Sequence, residues 1–361
     1  MARKKRILIA PLNWGLGHAS RCIPVIERFR AHGAEPVLAA DGRPYTFLKN
    51  ELPDDELHLL RDLEITYAGN ASMVSSIVRQ APHIVSTFLH ERRTVDRLVS
   101  ALRIDGIVSD NRFGLYSSKV PCVYMTHQVS IMTPRLFAWT QPLLRLAHAS
   151  LMKRYTECWV PDSRDAVNLS GLLSHGRALP EQTYFIGPLS RLRPARVPIR
   201  YDCAIVLSGP EPQRTIFETI IRRQIAPLGL RAIIVQGIPE SGHECATEGS
   251  VEIVPSLTAV ELNRVMNASA CIVARSGYST IMDLAALGKQ AVLVPTPGQT
   301  EQEYLARRLS SMNIFYSERQ EEFDLARALE RSHQFSGWNR QLDGSDTLDE
   351  RIGHFLSLIT T

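Results

Sequence analysis

The feature that most restricts the fold is an alternation: short β-branched apolar runs, each followed by a longer amphipathic segment, recur through the whole chain. Strand-length runs alternating with helix-length segments are the signature of βαβ units, whose strands lie parallel in one sheet. In the first half, strands are predicted at Arg6–Pro11, Pro36–Ala40, Ile104–Asp110, Val120–His127 and Glu157–Asp162. In the second half they fall at Cys203–Gly209, Ala232–Gly237, Val251–Pro255, Cys271–Arg275 and Ala291–Pro295. Between the series, Gly187–Pro198 carries Pro188, Pro194 and Pro198 and reads as a linker. A chain of 361 residues is also too long for one ordinary core. The expectation is an α/β protein with two doubly wound sheets: a domain over 1–190, a linker over 191–200, a second domain over 201–345 and a terminal helix over 346–361. The helix follows from the near-helical spacing of Leu348, Ile352, Phe355, Leu356 and Ile359.

Composition narrows the class. With 44% hydrophobic and 22% charged residues the chain reads as a soluble globular protein. No uncharged apolar run approaches the roughly 20 residues of a membrane span, and the run Ile7–Leu12 is too short for a signal peptide, so a cytoplasmic location is expected. The six cysteines are scattered, with no CxxC pair and no histidines at metal-ligand spacing, so neither a disulfide nor a metal is expected. The net charge of +4 hides an asymmetry: residues 1–190 hold 23 Lys and Arg against 17 Asp and Glu, the remainder 18 against 20. A basic half can face phosphates, nucleic acid or an anionic membrane. Nucleic acid is disfavoured, because the basic residues are not interleaved with aromatics on one element.

Two turns carry the chemistry. The first strand runs into Asn13-Trp14-Gly15-Leu16-Gly17-His18-Ala19-Ser20-Arg21, and a glycine-bearing turn between strand and helix presents backbone N–H groups to an anion. Pro24 is expected in the first turn of that helix, where its missing N–H costs nothing. The spacing is not GxGxxG, and a tight βα turn with a buried His18 is the bland alternative. The second turn is Ala274-Arg275-Ser276-Gly277-Tyr278-Ser279-Thr280, where an apolar strand ends and a helix starts. Ser276, Gly277, Ser279 and Thr280 there suit a phosphate, and Asp283, one turn on, suits a ribose. Gln299, Gln302 and Glu303 follow the next strand and suit sugar hydroxyls, the alternative being a solvated cap. Val254, ending the third strand of its half, is placed with the same donor side.

The stretch Val273–Leu309 resembles the donor-binding region of the MurG-type GlcNAc transferases: Arg-Ser-Gly, an acidic residue on the next helix, Ala-Leu-Gly, a Val-Pro turn, then Gln and acidic residues before a helix. Gly15-Leu16-Gly17-His18 resembles that family's N-terminal loop, and Thr126-His127-Gln128 its His-Glu-Gln segment. The resemblance implies a GT-B fold, with two Rossmann-like domains facing a cleft, and an inverting transfer that requires no metal or other cofactor. It also implies a UDP-sugar such as UDP-GlcNAc, held mainly by the second domain. The sequence departs from the family at Asp283, where Glu is usual, at Glu303, where a second Gln is usual, and at Ser208-Gly209-Pro210-Glu211-Pro212-Gln213-Arg214, which replaces a glycine-rich turn. Two prolines remove N–H donors there, so Gln213 or Arg214 is expected to meet the phosphate. Gly15, Gly17, Ser208, Gly209 and Arg275 complete the expected donor contacts, with an ion-pair role as the alternative for Arg275.

Displacement at an anomeric carbon needs a base for the acceptor proton. His18 is the first choice, with Asp110 and His127 next. The same fold would serve a nucleotide-sugar hydrolase, an epimerase or a non-catalytic binding protein. For the acceptor, the segment from Ile131 to Arg154 has only positive charges among its apolar residues Ile131, Met132, Leu136, Phe137, Trp139, Leu143, Leu144 and Leu146. It can lie in the headgroups of an anionic membrane and present His18 to a lipid-linked hydroxyl or other glycan. A core helix, with Arg135 and Arg145 reaching to water, is the expectation preferred for the part after Pro142.

Overall fold

The computed structural model describes residues 3–60, 91–133, 139–176, 179–238, 245–339 and 345–359. The chain forms two compact units, one of 1–189 with 342–361 and one of 190–341. In the first unit the order is β1 (Arg6–Pro11), α1 (Gly17–Ala31), β2 (Glu35–Ala40), α2 (Gly42–Glu51), β3 (Leu57–Leu59), α3 (91–101) and β4 (Gly106–Asp110). It continues with β5 (Cys122–Met125), α4 (Gln141–Met152), β6 (Glu157–Val160) and β7 (Thr183–Phe185). The strands form a parallel sheet in the order β3-β2-β1-β4-β5-β6-β7. Strands buried on both faces read as continuous apolar runs, as β1 and β2 do.

The second unit contains β8 (Tyr201–Val206), α5 (Gln213–Ile225), β9 (Ala232–Val235), β10 (Ala246–Glu248), β11 (Val251–Val254) and α6 (Ala259–Asn267). It closes with β12 (Ser269–Ala274), α7 (Tyr278–Leu287), β13 (Ala291–Leu293), α8 (Thr300–Ser311), β14 (Tyr316–Ser317) and α9 (Leu325–Ser332). The sheet order is β10-β11-β9-β8-β12-β13-β14, parallel except for the β10–β11 pair. In both sheets the order in which strands are added therefore reverses at a central pair, between β1 and β4 in the first unit and between β8 and β12 in the second. In open α/β sheets, ligands bind outside the carboxyl ends of the strands at that reversal.

The final helix α10 (Ser345–Ser357) packs on the first unit, not on its neighbour in sequence. Phe355 is fully buried, edge-on to Phe29 at 6.1 Å and to Trp159 at 5.9 Å. Arg351 and His354 both reach the buried carboxylate of Glu157, at 2.6 and 2.9 Å. Lys5 Nζ donates to the Leu356 carbonyl at 2.7 Å, satisfying one of the acceptors that a helix end leaves open.

Several expectations change. The strands β3, β7, β10 and β14 are two or three residues long, too short to show a pattern in sequence. Some predicted strands ran too far because Leu207 and Val294, just past β8 and β13, are buried in loops. Pro24 lies well inside α1, which starts at Gly17, and so removes the bond that an N–H would make to the Ser20 carbonyl. The proline-rich stretch is fastened to α6: Arg193 N donates to Asn263 Oδ1 at 2.9 Å and Ala195 N to Asn267 Oδ1 at 2.8 Å. The core-helix expectation after Pro142 is overturned, since α4 buries only His148 and Met152. Trp139 is 78% exposed, and Leu143 and Leu146 are each 71% exposed. Pro134, Arg135, Leu136, Phe137 and Ala138 lie outside the described residues. Among the described residues no helix is long and apolar enough to cross a membrane.

Candidate functional site

In the first unit the reversal point gathers His18, Arg21, Asp110 and His127. β1 delivers the turn Leu12–Leu16, in which Gly15 takes φ +71°, a value that an L side chain resists. Leu12 N donates to the Asp110 carbonyl at 3.0 Å, tying this turn to the end of β4. His18 and Arg21 stand three residues apart on α1 and so share a face. Asp110 is held from the other side: Asn111 takes φ +60°, tolerable for Asn, and its Oδ1 accepts from Tyr124 Oη at 2.9 Å and Thr126 Oγ1 at 3.1 Å.

The fully buried Asp110 carboxylate is the hub. Arg21 pairs with it through both nitrogens of one edge, Nε donating to Oδ2 at 2.8 Å and Nη2 to Oδ1. His18 Nδ1 lies 3.1 Å from Oδ1, and the Cys22 thiol donates to Oδ2 at 3.6 Å. Arg21 Nη1 meets His127 Nδ1 at 2.7 Å. Burial alone would raise the Asp110 carboxyl, but Arg21 and His18 outweigh it and hold the group far below the usual carboxylate range. Burial lowers the His18 imidazole below 6.5; Asp110 opposes that shift, and the charge of Arg21 adds to it. Burial thus favours the neutral imidazole, which is the form a base needs. The structure brings the three proposed catalytic residues into one cluster and adds Arg21. In sequence Arg21 is only a basic residue on a helix, and the sole clue was its i+3 spacing from His18.

In the second unit the reversal point lies between two turns: Ser208–Gln213 after β8 and Arg275–Gly277 after β12. Gly209 takes φ +102°, and a side chain there would be strained. Gly277 caps α7 at φ −67°, where a Cβ would meet only Thr280 Oγ1 at 3.9 Å. Neither backbone nor packing asks for glycine at 277, so the space it leaves is available to a ligand. Ser279 and Thr280 follow in the first turn of α7, which carries no acidic residue. An uncapped helix start of this kind favours an anion.

The other expected contacts have partners of their own. Arg214 is buried and pairs with Glu211 at 2.5 Å and Glu218 at 2.9 Å, so a phosphate there would have to compete with two carboxylates. Arg275 is buried but makes no ion pair among the described residues. It donates to the carbonyls of Val294, Pro295 and Gln213 and to Gln320 Oε1, and lies 4.4 Å over the Phe217 ring. Burial lowers its guanidinium to about 10. Arg275 thus brackets three loops. The Ser276 hydroxyl donates to the Gln302 carbonyl at 2.9 Å. Gln302 accepts from Thr296 N at 2.8 Å and donates to Gln299 Oε1 at 2.6 Å, and Glu303 accepts from Gly298 N at 3.2 Å. These three side chains brace the loop after β13, and hydroxyls of a sugar would have to share them. Gln213 Oε1 accepts from Gln320 Nε2 at 3.0 Å. Val254, at the end of β11, is buried, and its carbonyl accepts from Gln236 N.

Asp283 is partly buried on α7 and accepts from Ser190 Oγ at 2.5 Å. Burial lifts its carboxyl to about 6, with Ser190 and Arg191 pulling the other way. A folded-state value above the ordinary 3.8 means that the native state binds the proton more tightly. This site therefore costs stability as pH rises from about 4 to 6, up to about 3 kcal/mol. Asp283→Asn is expected to raise the melting temperature at pH 7.5 and leave it unchanged at pH 4, while weakening UDP binding. Calorimetry at both pH values with a UDP titration checks this, and equal UDP affinity would remove Asp283 from the nucleotide site.

Residues 247–337 match the Glycosyltransferase family 28 C-terminal domain, a span that includes the Arg275–Asp283 turn and Gln299–Glu303. Across the full length, the MurG structure of Acinetobacter baumannii superposes with a TM-score of 0.54 at 12% identity, covering 99% of each chain. An uncharacterised glycosyltransferase of Methanopyrus kandleri is 22% identical over 88% of this chain and 94% of its own length. The fold is thus that of the GT-B glycosyltransferases, and the second unit carries a match to a glycosyltransferase family 28 C-terminal domain. Within that class it resembles the MurG type. The UDP-N-acetylglucosamine–N-acetylmuramyl-(pentapeptide) pyrophosphoryl-undecaprenol N-acetylglucosamine transferase of Methylorubrum populi is 43% identical over 66 residues, which are 18% of this chain. The match spans only 17% of that enzyme's length.

Proposed function

We propose that the chain transfers a sugar from a nucleotide-diphosphate sugar, a UDP-sugar such as UDP-GlcNAc, to an acceptor hydroxyl with inversion at the anomeric carbon. The observation that carries this reading is His18: an imidazole held 3.1 Å from the Asp110 carboxylate at the carboxyl end of a parallel sheet. A hydrolase acting on water would use the same base, but the transferase activity of the MurG-type relatives supports transfer. Nδ1 of His18 faces Asp110, so Nε2 takes the acceptor proton as the hydroxyl oxygen attacks the anomeric carbon and the nucleotide diphosphate leaves. The start of α7 at Gly277 supplies backbone dipoles for the departing charge in place of a metal. Asp283 accepts from the ribose, exchanging Ser190 for a nucleotide hydroxyl. Incubation with UDP-, GDP- and TDP-sugars, with and without lipid extract, tests the proposal. Nucleotide release that depends on the extract supports it; release without acceptor would mean hydrolysis, and an altered sugar would mean epimerisation.

The acceptor is proposed to be lipid-linked, reached from the inner face of a membrane. Exposed Trp139, Leu143 and Leu146, with exposed Arg145 and Lys153 close by in sequence, support seating in anionic headgroups, each basic residue adding about 1 kcal/mol. Changing Trp139, Leu143 and Leu146 to Ser is expected to abolish co-sedimentation with anionic vesicles at low salt. Indifference of the parent protein to such vesicles would make a soluble acceptor the better reading.

A further inference from the structure

The geometry around Arg21 assigns roles within the catalytic cluster, on the reading that His18 is the base. We infer that His18 and His127 are held in opposite neutral tautomers, His18 with its proton on Nδ1 through Asp110 and His127 with its proton on Nε2 through Arg21. Of the two imidazoles, only His18 can then take a proton at Nε2. Arg21 is a positioning residue for this arrangement.

The argument starts from what a guanidinium can do: it donates and never accepts. Arg21 Nη1 lies 2.7 Å from His127 Nδ1, and both residues are buried. That ring nitrogen must therefore offer its lone pair, and a neutral ring with a lone pair at Nδ1 carries its proton at Nε2. A proton at Nδ1 would set two donors against each other at that distance, out of water. His127 consequently has no site at which to act as a base while Arg21 is in place.

For His18 the neighbours compete. Its Nδ1 is 3.1 Å from Asp110 Oδ1, which can only accept, and 3.0 Å from Arg21 Nη2, which can only donate. The competition is decided by Asp110. Arg21 Nη2 already directs a hydrogen at Oδ1, and Nε directs one at Oδ2. A bare lone pair on His18 Nδ1 would face the carboxylate oxygen as a second acceptor, whereas a proton there makes a charge-assisted bond. The proton belongs on Nδ1, and Nε2 keeps its lone pair. Asp110, with bonds from Arg21, His18 and Cys22, stays a carboxylate and orients without taking the proton.

Selective ¹⁵N-histidine labelling of the full chain and long-range ¹H–¹⁵N correlation at pH 7.5 read the tautomers directly, with His18→Gln and His127→Gln assigning the two rings. The expected pattern is a protonated Nδ1 with bare Nε2 for His18, and the reverse for His127. A protonated Nδ1 on His127, or a rapid average of both forms on either ring, overturns the inference. In Arg21→Lys, which keeps the charge but not the fork, the His127 pattern is expected to collapse to an average; an unchanged pattern removes Arg21 from the role. The parent spectrum alone decides the tautomers if that variant does not fold. Neither readout needs turnover, so a protein inert towards every nucleotide sugar would sink the proposed reaction and leave this assignment standing.

Discussion

His18→Ala is expected to lower turnover by roughly 10²-fold or more while donor affinity stays within a few-fold. His18 is in the first unit, in the first turn of α1, whereas the proposed donor contacts Gly277 and Asp283 are at the start of α7 and on it, in the second. Removing the imidazole should therefore act on proton transfer and not on nucleotide binding. The parent's pH profile carries the same information. Burial holds His18 below 6.5, so the acid limb of turnover should lie below that value, and the variant should lose that limb. Steady-state rates beside a calorimetric UDP titration separate the two effects. Unchanged turnover would reduce His18 to a packed histidine in a tight turn.

The second large effect concerns stability. Asp110→Ala leaves Arg21 buried with its carboxylate partner gone, and breaking a buried pair in this way costs about 3–5 kcal/mol. For a unit of this size that corresponds to a fall of roughly 10 °C in the transition of the first unit. The carboxyl is depressed in the folded state, so its stabilising contribution is present above the ordinary carboxylate value and is lost as pH falls through the depressed one. The variant should accordingly show less acid sensitivity than the parent, although it is less stable at pH 7. Scanning calorimetry from pH 3 to 8 follows both; a variant as stable as the parent at neutral pH would mean that Arg21 finds another counter-ion.

Both sheets were legible in the sequence because buried parallel strands such as Leu8–Ala10 and Ile272–Ala274 must be apolar on both faces. The two turns at the reversal points were legible for a related reason, since each places glycine between a strand and a helix. What stayed hidden depends on partners distant in the chain. Arg21 and Asp110 are 89 positions apart, and no local spacing reveals their pairing. Arg214 and Arg275 looked alike as phosphate ligands, yet one answers two glutamates and the other a set of carbonyls. The leucines of α4 have the spacing of a core helix, and their exposure shows only once the rest of the unit is folded around His148 and Met152.

The position of α10 also governs how the chain can be made. Unit 190–341 is contiguous, whereas the first unit is interrupted by it and closes only when α10 reaches Phe29, Trp159 and Glu157. As the chain emerges from a ribosome, unit 190–341 is complete before the segment from 342 onward arrives. The half bearing His18 must wait with an open seat beside Trp159 until the segment from 342 onward arrives. Completion of the folds thus runs in the order opposite to the numbering: the domain begun last is the first that can be finished.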